Sequence, residues 1–163
     1  MRMSGPFGIV LVILAIAVAS IAGAFIFEAL GYPPCELCLK ERMPYYAAFP
    51  FAGLAVLFAA RGATAFLRAA FVALALIFGA SAIFGAYHAG IEWGFWPGPT
   101  ECSGPLDHAR STADFLKQLQ SIKVARCDAP ALRILGLSLA AWNALISAGL
   151  AALAIVGVRT NSK

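Results

Sequence analysis

The sequence predicts an all-α membrane protein, a four-transmembrane-helix bundle with a long second outer loop. Two observations carry this prediction. The 163-residue chain is 61% hydrophobic and only 12% charged, with a mean hydropathy of +0.83, whereas soluble domains are about 25% charged. Four stretches reach the roughly 20 residues a helix needs to cross the hydrocarbon core, and none shows the alternation of a barrel strand. So much apolar surface exceeds what one soluble core of this length hides, so residues 1–163 read as a single integral membrane domain. The net charge of +4 therefore speaks of topology and not of nucleic acid.

The first span is Phe7 to Leu30. Met1-Arg2 gives it a basic start, and Ala17-Val18-Ala19 or Ala22-Gly23-Ala24 would suit a signal peptidase. Its apolar run of about 24 residues exceeds the 7–15 of a signal core, so it reads as an uncleaved helix. Ala15, Ala19 and Gly23, spaced by four, predict close helix packing. The second span covers about Met43 to Ala60, the third about Ala69 to Tyr87 and the fourth about Leu135 to Val158. Pro44 leaves two starts open for the second helix: near Glu36 with a kink, the preferred reading, or at Pro44 as first helical residue.

Loops of about residues 31–42 and 88–134 lie on one side, and the link Arg61 to Arg68 joins the middle spans on the other. In the longer loop, Leu106, Ala109, Ala113, Leu116, Leu119 and Ile122 recur at helical spacing among charged residues, which predicts a short amphipathic helix on the membrane surface. Trp93 and Trp96, in "EWGFWPGP", suit an interfacial anchor. The basic residues Arg2, Arg61, Arg68, Arg159 and Lys163 share the side of the termini with no acidic residue, and all eight acidic residues fall opposite. Arg61 and Arg68 sit in the short link, where the positive-inside rule is read, so the termini are expected in the cytoplasm.

Every cysteine falls on the opposite, outer side: Cys35 and Cys38 in the first loop, Cys102 and Cys127 in the second. That placement fits a compartment where disulfides persist. Cys35-Glu36-Leu37-Cys38 has the spacing of thiol–disulfide exchange, in which a helix start and nearby cations lower the pKa of the attacking thiol. Arg42, four residues beyond Cys38, shares its helical face. Two other readings stand beside the redox one. A zinc half-site would need Cys102 and Cys127 as further ligands, and a static disulfide would need no partner. A c-type haem site requires histidine where Leu39 stands. A thiol pair that oxidises something must itself be reoxidised, yet no Gly-x-Gly-x-x-Gly is present for flavin or nicotinamide. A membrane-soluble quinone, ubiquinone or menaquinone, fits as the sink, because it takes two electrons and turns anionic where Arg42 would stabilise the charge.

Cys-x-x-Cys-x-x-x-Arg after the first of four spans, a second cysteine pair in the second outer loop, "GFWPGPTEC" and "CDAPALRILGLSLAAWN" together resemble the disulfide bond formation protein B (DsbB) family over nearly the whole chain. Vitamin K epoxide reductases share the chemistry and the bundle, but their quinone-proximal pair follows the loop pair. The resemblance implies a bacterial inner-membrane thiol:quinone oxidoreductase with periplasmic cysteine loops, working between a DsbA-like protein and the quinone pool. It implies that Cys102 forms the mixed disulfide with the DsbA-like partner, that Cys127 passes the exchange to Cys35, and that Cys38 faces the quinone. It further implies that His88 lines the quinone pocket with Arg42; otherwise His88 is an interfacial residue. Glu41 reads as a salt-bridge or interface residue. Trp142 and Asn143 match the family's fourth span, where a buried asparagine also commonly bonds a neighbouring helix. Cys102 and Cys127 as a permanent staple would contribute roughly 3.5 kcal/mol, the alternative of a disulfide-stapled structural subunit. The remaining alternative is a membrane metal-binding protein using the four cysteines and His88.

Overall fold

The computed structural model describes residues 5–99, 111 and 126–161. Four helices are long and apolar enough to cross a membrane: α1 (Gly5–Ala29), α2 (Glu36–Arg61), α3 (Thr64–Glu92) and α4 (Leu139–Thr160). A hairpin of two two-residue strands, β1 (Arg133–Ile134) and β2 (Leu137–Ser138), precedes α4. The most extensive contact is between α3 and α4, followed by that between α2 and α3; α1 closes the bundle against α2 and α4.

The core follows helical spacing on each element. Val10, Ile13 and Ala17 of α1 meet Tyr45, Ala48, Ala52 and Ala55 of α2, Phe71, Leu74 and Phe78 of α3, and Leu150 and Ala154 of α4. Lipid gives apolar side chains no reason to leave it, so close packing of small residues does much of the work of association. The three buried alanines of α2 illustrate this. At the far end of the bundle, a Cβ on Gly157 of α4 would lie 2.5 Å from the Phe71 ring of α3, so that crossing depends on glycine. Large side chains such as Leu76 and Ile83 point outward, 70% and 74% exposed.

The helix boundaries refine the expected spans. α2 begins at Glu36 and runs through Pro44 and Pro50 without a break, so Cys38, Glu41 and Arg42 are helical. Cys35 makes the early start feasible: its Sγ accepts the Cys38 N–H at 3.1 Å, as an N-cap does. α2 ends at Arg61, and Gly62, with a left-handed φ of 68°, closes the turn into α3. α3 starts at Thr64 and continues to Glu92, which places Arg68 and His88 inside a helix. The fourth helix starts at Leu139, later than Leu135, because Leu135 (φ 53°) and Gly136 (φ 83°) form the tight turn of the hairpin. Ser138 then caps α4 by accepting the Ala141 N–H at 3.2 Å.

Two expectations need correction or fall outside this description. Ala15 and Ala19 are exposed and nothing crowds Gly23; the buried face of α1 is Val10, Ile13 and Ala17, and Ala19 and Gly23 line a groove instead. The amphipathic helix expected over residues 106–122 lies outside the described residues. Trp96 folds back onto α3, stacked on Tyr87 at 5.9 Å and donating from Nε1 to the Tyr87 carbonyl at 2.9 Å. A Cβ on Gly90 would run into its ring, so this anchor too depends on a glycine.

Candidate thiol and groove site

The C-terminus of α1, the start of α2, the end of α3 and the start of α4 meet at one end of the bundle, and Cys35 and Cys38 sit there as free thiols. Cys35 is 3% exposed. Its Sγ lies 3.6 Å from His88 Nε2, while His88 Nδ1 lies 2.7 Å from Glu41 Oε1. His88 is 1% and Glu41 8% exposed. When ionised, Glu41 can only accept, so it takes the Nδ1 proton and leaves Nε2 to exchange a proton with the Cys35 sulfur. The three residues form a carboxylate–imidazole–thiol chain, with Glu41 six residues along α2 from the capping Cys35 and His88 reaching across from α3.

Cys35 stands just outside the spanning helix. The Cys38 side chain beside it, opposed by burial and aided by His88 and the Cys38 N–H, lowers its pKa to about 5. The shift favours the thiolate, the form that takes part in exchange.

Cys38 faces a different space. With Glu41, Arg42 and Tyr45 of α2 it lines a largely apolar groove of about 370 Å³ between α1, α2 and α4, closed on the α4 side by Trp142 and Asn143. Cys35 is not part of that wall. Arg42 donates to Glu28 Oε2 at 2.9 Å, and its guanidinium lies 5.0 Å from the centre of the Phe25 ring, so α1 holds the cation at the mouth of the groove. Beneath the groove, Tyr45 donates to Asn143 Oδ1 at 2.8 Å and lies 3.1 Å from Ser147 Oγ, which is 3.0 Å from Ser81 Oγ. This polar chain ties α2, α3 and α4 together where lipid offers no competing partner.

Cys127 is disulfide-bonded, 1% exposed, and packed in one cluster with Cys35, Leu37 and Ile91. Cys102 lies outside the described residues. The structure therefore brings together Cys35, Cys38 and His88, sets Cys127 beside Cys35, and puts Arg42 on the groove with Cys38. Glu41, read from the sequence as a salt-bridge or interface residue, does pair, but its partner is His88 and its place is in the site, which sequence reasoning did not find. Its signal was a carboxylate inside a spanning helix, three residues after Cys38, where an unpaired charge is costly.

The family described as "Disulfide bond formation protein DsbB" matches residues 7–157. The chain is also similar to "Uncharacterized protein RP370" of Rickettsia prowazekii (strain Madrid E), 26% identical over 140 residues that cover 84% of this chain and 78% of that protein. No solved structure matches it.

Proposed function

Given that the chain belongs to the DsbB family of membrane proteins that form disulfide bonds, we propose that it is a thiol:quinone oxidoreductase of the bacterial inner membrane. In this reading it reoxidises a DsbA-like dithiol protein on the periplasmic side and delivers the electron pair to a membrane quinone, ubiquinone or menaquinone. The observation that carries the reading is the division of labour between the first two cysteines. Cys38 opens on an apolar groove wide enough for a quinone head group and edged by Arg42, whereas Cys35 is backed by His88 and Glu41.

Electrons enter at the loop pair. A thiolate of the DsbA-like protein attacks Cys102, the Cys102–Cys127 bond breaks, and Cys127 leaves as a thiolate. The partner's second thiol resolves the mixed disulfide, so the partner is oxidised and the loop pair reduced. Cys127, packed beside Cys35, then attacks Cys35 of the Cys35–Cys38 disulfide and releases the Cys38 thiolate. Closure of the loop disulfide leaves Cys35 and Cys38 reduced.

Reoxidation of Cys35 and Cys38 removes two electrons and two protons, which a quinone, when bound, takes up to become a quinol. Cys35 supplies the second sulfur of the new bond as a thiolate. His88 Nε2 accepts its proton, and Glu41 steadies the imidazolium through Nδ1. Arg42 stabilises negative charge gathering at the groove mouth. The test is quinone-dependent oxidation of a reduced DsbA-like protein by the purified chain; no consumption of either ubiquinone or menaquinone analogues would rule the reading out.

A further inference from the structure

We propose that in the dithiol form of the protein Cys35, Cys38 and His88 make a three-ligand site for zinc(II), and that zinc there blocks closure of the Cys35–Cys38 disulfide. The two sulfurs and a His88 ring nitrogen all lie within 4.8 Å of one another. Zinc bonds of about 2.3 Å to sulfur and about 2.0–2.1 Å to nitrogen, at a tetrahedral angle, put S and N about 3.5 Å apart. The Cys35 Sγ to His88 Nε2 separation is 3.6 Å, so one edge of the tetrahedron is already set.

The surroundings favour a metal in two further ways. Glu41 Oε1, 2.7 Å from Nδ1, fixes the tautomer that turns the Nε2 lone pair toward the thiols, the outer-shell arrangement usual for zinc-bound histidine. The open side of the cluster gives onto a second cavity, of about 300 Å³, lined by both cysteines, Glu92 and Arg126. Glu92 Oε2 is buried there with no hydrogen-bond partner among the described residues. Water in that cavity would offer this acceptor a donor. Thiolate and imidazole ligands select zinc over magnesium or calcium.

The site differs from a four-cysteine zinc centre, since Cys127 is in a disulfide. It also exists in one redox state only. Zinc displaces the thiol protons and holds both sulfurs as thiolates, with no electron transferred, and an oxidised Cys35–Cys38 pair has no thiolate to offer. Zinc binding and oxidation therefore exclude each other, whatever oxidant the protein uses.

The experiment titrates zinc against a chromophoric chelator into the full-length chain in detergent, reduced with a phosphine, carrying Cys102→Ser and Cys127→Ser so that only the first pair can bind. One zinc per chain is expected before oxidation and none after it, with cadmium giving a thiolate charge-transfer band of the same stoichiometry. Glu41→Gln should weaken binding about 10- to 100-fold, and His88→Ala by more, since it removes a ligand and not its support. Cys38→Ser, which keeps the shape of the site, should abolish the second thiolate contribution to the cadmium band. Failure of the reduced chain to bind, equal binding by the oxidised chain, or an affinity unchanged by both His88→Ala and Glu41→Gln would overturn the proposal. Each of these readings is independent of quinone turnover.

Discussion

Glu41→Gln separates the charge behind His88 from the shape of the site. The amide keeps an oxygen able to accept from His88 Nδ1, but the negative charge 2.7 Å from the ring is gone. Both residues are buried, so water and salt screen the pair little. A hydrogen bond to an ionised group contributes about 1.5–3 kcal/mol against about 0.5–1.5 for a neutral one, so the substitution removes roughly 1–2 kcal/mol of support for an imidazolium beside a thiolate. At 1.36 kcal/mol per pKa unit, the Cys35 midpoint moves up by about 0.7–1.5 pH units. From a starting value of about 5, the thiolate fraction at pH 6 falls about 1.4- to fourfold. The assay is alkylation of the reduced, quinone-free chain across pH, with Cys35 and Cys38 scored on separate peptides. Wild-type Cys35 should lose reactivity as pH falls through about 5, and the variant should lose it earlier on the same descent. Coincident profiles would refute the reasoning, leaving Cys38 and the helix start to hold the thiolate by themselves.

Cys35→Ser and Cys38→Ser should each abolish quinone-dependent turnover, because a disulfide needs both sulfurs; near-normal rates in either would exclude the pair as the electron donor. Arg42→Ala should lower kcat/KM for quinone with a transition-state cost on the order of 2–4 kcal/mol while kinetics toward the dithiol protein stay close to wild type; an unchanged quinone dependence would make Arg42 a tether to Glu28. Cys127→Ser should trap a DsbA-like protein lacking its own resolving cysteine as a covalent adduct on Cys102, seen on a non-reducing gel and mapped by mass; an adduct on Cys35 or Cys38 would reverse the proposed order of exchange. Gly157→Ala, whose Cβ would meet the Phe71 ring at 2.5 Å, should destabilise the bundle by about 1–3 kcal/mol, read as a lower melting temperature; no change would mean that Phe71 can move aside freely.

The amino-acid sequence by itself determined that there are four spans and roughly where they fall, because the length of an apolar run and the width of the hydrocarbon core are compared without knowing any contact; their ends moved by several residues with the caps and turns of the fold. It also determined the cysteine order and the placement of Arg42 with Cys38, since residues four apart share a helical face. Other features depended on which face of each helix meets a neighbour. Glu41 and Arg42 are adjacent in sequence and about 100° apart on the helix; only the approach of α3 decides that Glu41 turns inward to His88, 47 residues away, while Arg42 turns to Glu28 and the groove. The row Ala15, Ala19, Gly23 is equally compatible with packing on a helix and with lining a cavity, because small residues with this spacing make room for either. The end of the last loop was hidden by composition: Leu135 extends an apolar pattern, but its backbone is committed to a tight turn with positive φ, closed by pairing of Ile134 with Leu137. The pairing of His88 with Cys35 was likewise beyond any local signal. Sequence spacing relates residues on one helix, whereas this contact is set by how α2 and α3 cross, and that is fixed by the side chains packed between them.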